Sequence, residues 1–208
     1  MEITNVINLQ YNANTYLLRS KKASFHCYLI DIGNSEVVLL SLKEQEKIKA
    51  IFLTHAHYDH ICGINEILEH FPDCIIYCSE YTSKALSDSK LNLSFYHKTP
   101  VSYSGPNVKI LADGDFIQLF DGLDVQVLET PGHNAGSLSF KIDNDIFTGD
   151  SLIPEVSIVT KLKSGNKLQA AESILKIKSY STTSTTIFPG HGKSFHANEI
   201  DWNFYLST

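Results

Sequence analysis

Residues 54–60 read Thr54-His55-Ala56-His57-Tyr58-Asp59-His60. The stretch is preceded by an apolar run, 50–54, that reads as a short buried strand. It is followed by Ile64, Ile67, Leu68 and Phe71, whose i, i+3, i+4, i+7 spacing predicts a helix. His55 and His57 are two apart, so in extended backbone their side chains point the same way. A tight turn then brings Asp59 and His60 into the neighbouring volume at a helix start. Buried imidazoles and a carboxylate need partners. A divalent cation is one that suits both donor types.

Three further stretches share one grammar: a strand runs into a glycine-containing turn that ends on a ligand-type residue. Thr130-Pro131-Gly132-His133 follows the strand pattern of 123–129. Phe147-Thr148-Gly149-Asp150 and Phe188-Pro189-Gly190-His191-Gly192 end the other two. Glycine allows the sharp turn, and rigid strand ends preorganise whatever they carry. Five of the nine histidines lie in these motifs.

The order His-x-His-x-Asp-His, His, Asp, His resembles the metallo-β-lactamase superfamily. The likeness runs from Asn14-Thr15-Tyr16-Leu17 and Leu29-Ile30-Asp31-Ile32-Gly33 to Gly190-His191-Gly192. It implies an α/β fold, a four-layer αββα sandwich. It also implies two divalent metal ions, with zinc expected and iron or manganese as alternatives. His55, His57 and His133 would hold the first ion, Asp59, His60 and His191 the second, and Asp150 would bridge them. The implied activity is hydrolysis by a shared hydroxide, with Asp59 as catalytic carboxylate and no serine or cysteine nucleophile.

Asp150 is similar to the bridging aspartate of the glyoxalase II branch, as is Thr-Pro-Gly-His-Asn-Ala-Gly-Ser over 130–137. Only 17 residues follow His191, whereas full-length glyoxalase II continues into a helical domain with basic glutathione contacts. The substrate class expected is therefore an ester, thioester or lactone. A mononuclear iron enzyme like the persulfide dioxygenases, or a β-lactam or phosphodiester hydrolase, is the alternative within the superfamily.

Composition bounds the rest. The 208 residues carry 17 Lys and Arg against 23 Asp and Glu, a net charge of −6, with 43% hydrophobic and 19% charged residues. These are the values of a globular chain long enough for one sizeable core. They supply no electrostatic footprint for nucleic acid or an anionic membrane. No secretory signal is seen at the start, so a cytoplasmic protein with a small-molecule substrate is expected. Cys27, Cys62, Cys74 and Cys78 read as reduced, buried small hydrophobes.

Strands are expected at 3–9, 15–18, 25–32, 75–78, 108–111, 116–119, 123–129, 137–142, 145–147 and, as the last, 187–188. Ser41-Leu42-Lys43-Glu44 reads as a capping box opening a helix to about residue 47. Further helices are expected at 80–87, at 166–178 with Leu168, Ala171 and Leu175 on one face, and at 199–206. The polar, Tyr-rich stretch 88–106 has no period and could form a substrate lid. No linker divides the chain, so 1–208 is expected to be a single domain. Tyr58, Lys193 and His196 are candidate substrate contacts. Asp31 is expected to orient the ligand loop.

Overall fold

The computed structural model describes residues 1–9, 11–22 and 24–206. The chain forms two compact units, 1–110 and 111–208, each built on one six-stranded sheet.

In the first unit the strands are β1 (Glu2–Ile7), β2 (Asn14–Arg19), β3 (His26–Ile30), β4 (Lys47–Phe52), β5 (Ile75–Cys78) and β6 (Val108–Ile110), in that spatial order. β1, β2 and β3 pair antiparallel; β3 through β6 pair parallel. Parallel neighbours require crossovers. These are supplied by α1 (Ser35–Leu40), by α2 (Tyr58–Ile61) with α3 (Ile64–His70), and by α4 (Glu80–Leu86). Val38, Ile61, Ile64, Ile67 and Leu86 of these helices pack with Leu17, Cys27, Leu29, Ile51, Ile76 and Cys78 of the sheet. Cys74 is buried in the same cluster, just before β5. Burial pushes the thiols of Cys27, Cys74 and Cys78 up to about 12, as expected for small core residues.

The second unit holds β7 (Phe116–Phe120), β8 (Leu123–Glu129), β9 (Leu138–Ile142), β10 (Asp145–Gly149), β11 (Thr186–Pro189) and β12 (Phe195–His196) in the order β12-β11-β10-β9-β8-β7. Only β10 and β11 among these pairs run parallel, and α5 (Lys167–Tyr180) crosses between them. A 3-10 turn, Ala197–Glu199, and α6 (Trp202–Leu206) follow. Ile174, Ile177 and Tyr205 pack with Ile146, Leu152 and Ile187.

Three expectations are corrected. No helix begins at Ser41. Asn34 caps α1 by accepting the Val37 N–H, and Ser41 ends that helix with its hydroxyl on the Val37 carbonyl. Glu46, not Glu44, takes up a backbone N–H nearby, that of Lys43. On α5 the buried residues are Ala170, Ser173, Ile174 and Ile177, whereas Leu168 and Leu175 are 71% and 52% exposed. Both sets fit a helical period, so periodicity alone could not choose between them. The strand at 187–188 is not the last, because β12 pairs with β11 beyond the Gly190-His191-Gly192 turn.

Segment 88–106 is bonded both within itself and to the end of α4. Asn92 donates to the carbonyls of Ala85 and Val101. Ser94 opens a 3-10 turn, Ser94–Tyr96, and its hydroxyl accepts the Val101 N–H.

Candidate metal centre

In the first unit the donors stand at the C-terminal end of β4, where open parallel sheets characteristically hold ligands. The chain leaves β4 through Thr54 and reaches α2, with His57 at its N-cap position but making no side-chain capping bond. His55, His57 and His60 are buried. The His55 ring lies 4.6 Å from that of His57 and 4.3 Å from that of His60. Asp59 Oδ2 lies 3.7 Å from His60 Nε2. Four expected ligands are thus brought together by one strand end and one short helix.

Backbone bonds tie this turn to the end of β3. Ile32 N–H donates to the His60 carbonyl and Gly63 N–H to the Ile32 carbonyl. A Cβ at Gly33 would stand 2.3 Å from the Asp59 carbonyl oxygen, so glycine permits the close approach. The Asn8 amide adds a bond to the same Asp59 carbonyl.

Asp31 sits at the centre of these contacts, buried and in left-handed backbone (φ 58). Its carboxylate accepts from the Thr54 N–H and hydroxyl, each at 2.7 Å, and from His60 Nδ1 at 2.8 Å. Burial pushes the Asp31 carboxyl up from the ordinary range, and His60 and Thr54 act against that. The single Thr54 hydroxyl proton goes to Asp31. Thr54 Oγ1, 3.1 Å from His55 Nδ1, therefore accepts from that nitrogen. In both His55 and His60 the proton then resides on Nδ1 and the lone pair on Nε2, the arrangement of metal-binding imidazoles.

In the second unit His133, Asp150 and His191 stand beyond the C-terminal ends of β8, β10 and β11. Asp150 Oδ2 lies 3.5 Å from His133 Nε2 and 3.6 Å from His191 Nε2. One carboxylate oxygen thus faces two imidazoles. His133 Nδ1 donates to the Val159 carbonyl at 2.9 Å, which again puts the lone pair on Nε2. The Gly190 N–H donates to the Gly149 carbonyl, tying the last two turns together. Neither Val159 nor Thr54 was anticipated. Thr54 opens the first motif, but a backbone carbonyl 26 residues after His133 leaves no signature in a sequence.

The other candidates are placed as follows. The Tyr58 ring is buried in the first unit and stacks on His97 with centroids 3.7 Å apart. Cys62 donates its thiol to the Gly33 carbonyl. Lys193 is exposed. His196 opens the 197–199 turn, its N–H held by the Glu199 carboxylate. Among the described residues no helix is long and apolar enough to cross a membrane.

The family model of the metallo-beta-lactamase superfamily matches residues 10–191. A hydroxyacylglutathione hydrolase of Erwinia tasmaniensis is 32% identical over 85% of this chain and 61% of its own. A "probable metallo-hydrolase" of Streptococcus pyogenes is 32% identical over 93% of this chain and 85% of its own. This chain thus spans only about three-fifths of the first relative's length. Among solved structures, the B3 metallo-beta-lactamase BLEG-1 superposes with a TM-score of 0.87 over all of both chains at 27% identity. The α/β sandwich of the metallo-β-lactamase type, expected from the motifs, is the fold found.

Proposed function

Because this chain belongs to the metallo-β-lactamase superfamily, we propose that it is a dinuclear metal-dependent hydrolase of the glyoxalase II-like kind, cleaving an ester, thioester or lactone. In this reading the two units act as one domain over 1–208 and their donors serve one centre. His55, His57 and His133 hold one cation, Asp59, His60 and His191 the other, and Asp150 is shared.

The donor chemistry fits. Five imidazoles and two carboxylates form a mixed nitrogen and oxygen set that suits zinc, with iron and manganese acceptable to the same atoms. Two divalent cations held there would supply polarisation of the scissile carbonyl and a water of lowered pKa. The chain's own part is orientation. Asp31 and Thr54 aim His60 and His55, the Val159 carbonyl aims His133, and Asp150 turns one oxygen to two imidazoles. Asp59 is at once a ligand and the catalytic carboxylate, its second oxygen able to orient a water.

The observation that carries this reading is that three imidazoles have Nδ1 engaged by the protein and Nε2 presented as the donor atom. Outer support of this kind, which fixes the ring and directs Nε2, is what metal-ligating imidazoles share. β-Lactam hydrolysis is the second reading, favoured by the 27% identity to a B3 enzyme over the full chain. A cytoplasmic setting accords with the four free cysteines.

The test is metal quantification on purified protein, paired with a panel of thioesters, lactones, β-lactams and phosphodiesters. About two ions per chain, and joint loss of metal and turnover in His57→Ala, are expected. Protein that takes up no zinc, iron or manganese, or a single iron with oxygen uptake on a persulfide, would overturn the dinuclear hydrolase.

A further inference from the structure

Tyr58 stands between two proposed donors, His57 and Asp59, at the first position of α2. That helix is four residues long and its N-cap residue makes no side-chain bond. A single turn of this kind does not hold its own direction. Two contacts from elsewhere in the first unit hold it. The Asn8 amide, from the turn joining β1 to β2, donates to the Asp59 carbonyl at 3.0 Å. The His97 ring lies on that of Tyr58, with centroids 3.7 Å apart and planes 13° from parallel.

Both contacts are backed by further bonds. The turn that carries Asn8 is closed by the Asn8 N–H on the Ala13 carbonyl, 2.7 Å. It holds Tyr11 in left-handed backbone, φ 59, and Tyr11 meets the His97 ring edge-on with centroids 5.9 Å apart. His97 follows the 3-10 turn Ser94–Tyr96, its N–H on the Ser94 carbonyl. Asn92 anchors that turn. Its side-chain oxygen accepts the Ser94 N–H, and its amide donates to the carbonyls of Ala85 in α4 and of Val101. The Tyr58 ring is buried in one cluster with Leu86 and Val101. The contacts close on themselves: Asn8 on Asp59, Tyr58 on His97, His97 on Tyr11, and Tyr11 in one turn with Asn8.

We propose that His97 is a positioning residue: its ring holds Tyr58, and through Tyr58 the turn that aims His57 and Asp59. This rests on the reading of those two as metal donors. Stacked rings fix each other in angle as well as in distance, so the His97 face sets the direction of the Tyr58 side chain and of the backbone on either side of it. Asn8 fixes the same turn from the Asp59 carbonyl. His97 is only half-buried, so truncating it opens no large core cavity. What it removes is the surface against which the donor turn rests.

The test uses the full chain, first metal-free and then titrated with cobalt(II). In the metal-free protein the His60 N–H, bonded to the His57 carbonyl at 3.0 Å, reports on the turn through its hydrogen exchange. His97→Ala should exchange roughly ten-fold faster there, with the melting temperature unchanged. It should also weaken cobalt on the order of ten-fold and alter the visible absorption spectrum of the bound ion. His97→Phe keeps a flat ring and should restore exchange, affinity and spectrum together. Tyr11→Ala removes the second support of His97 and should reproduce the His97→Ala changes in weaker form. Phe95→Ala, which removes an exposed ring of the same segment that meets Tyr96, should behave as wild type. Wild-type exchange in His97→Ala, or no rescue by His97→Phe, would overturn the proposal. So would faster exchange with cobalt affinity and spectrum unchanged, because His97 would then serve packing alone. Wild-type protein that takes up no metal counts against the hydrolase, and the exchange at His60 still decides whether His97 holds the turn.

Discussion

Asp31 and His60 lie 29 residues apart in the chain, and their Oδ2 and Nδ1 atoms lie 2.8 Å apart in the structure. Both are buried. The same carboxylate takes both Thr54 donors, so one aspartate at the end of β3 sets the proton positions of two imidazoles.

Asp31→Asn keeps the volume and removes the charge that holds a proton on His60 Nδ1. Loss of such a supporting carboxylate costs roughly 10- to 100-fold in metal affinity. Competition with a chromophoric chelator should show that weakening with circular dichroism unchanged. Unaltered affinity would remove the orienting role.

Gly132 has φ +139, and a Cβ there would stand 2.4 Å from the Ala170 backbone of α5. Its carbonyl also accepts the Asn166 N–H at the cap of that helix. Gly132→Ala must push α5 away or turn the 130–133 segment. A loss of about 1–3 kcal/mol by urea denaturation is expected, with reduced metal uptake because His133 is the next residue. Gly122→Ala is the comparison: it also has positive φ but open space around it, so it reports the backbone cost alone.

Arg19 and Glu46 form a buried pair, Nε to Oε1 2.8 Å and the second nitrogen to Oε2 2.9 Å. Arg19→Met leaves the carboxylate buried and without its cation, and should cost about 3–5 kcal/mol. The pair also predicts a pH dependence. Burial raises the Glu46 carboxyl, but the Arg19 guanidinium and the Lys43 N–H outweigh it and hold it below the ordinary range. A lowered folded value means stability that is present above the unfolded carboxylate value of about 4.3 and lost as pH falls through the folded one. Urea melts between pH 6 and 3 should therefore be less steep in pH for Glu46→Gln than for wild type.

Ile174 and Leu175 are neighbours on α5 with opposite fates, one fully buried and the other half exposed. Ile174→Ala should cost about 2–5 kcal/mol. Leu175→Ala should stay within roughly 0.5 kcal/mol of wild type. Thermal denaturation of the two variants decides whether the buried face of α5 is the one described.

How much of this could be read beforehand follows from distance along the chain. The proposed donors at 55, 57, 59 and 60 are legible because one strand end and one helix start carry them all, so their spacing is their geometry. The strands leading to His133, Asp150 and His191 are legible because their hydrophobic runs end on glycine turns. The face of α5 was not, because 168, 171 and 175 match a helical period as well as 170, 174 and 177 do. The Ser41 pattern misled because Asn34 upstream had already opened a helix that Ser41 closes.

Sequence by itself determined the fold class and which residues to propose as donors, since both readings start from short contiguous motifs of ligand-type residues and turn chemistry. Tertiary structure alone decided which nitrogen of His55, His60 and His133 bears the lone pair. That choice rests on Asp31, Thr54 and the Val159 carbonyl, and most of these contacts join residues remote in sequence. A hydrogen bond between such residues depends on where folding delivers two atoms, and no local pattern encodes it.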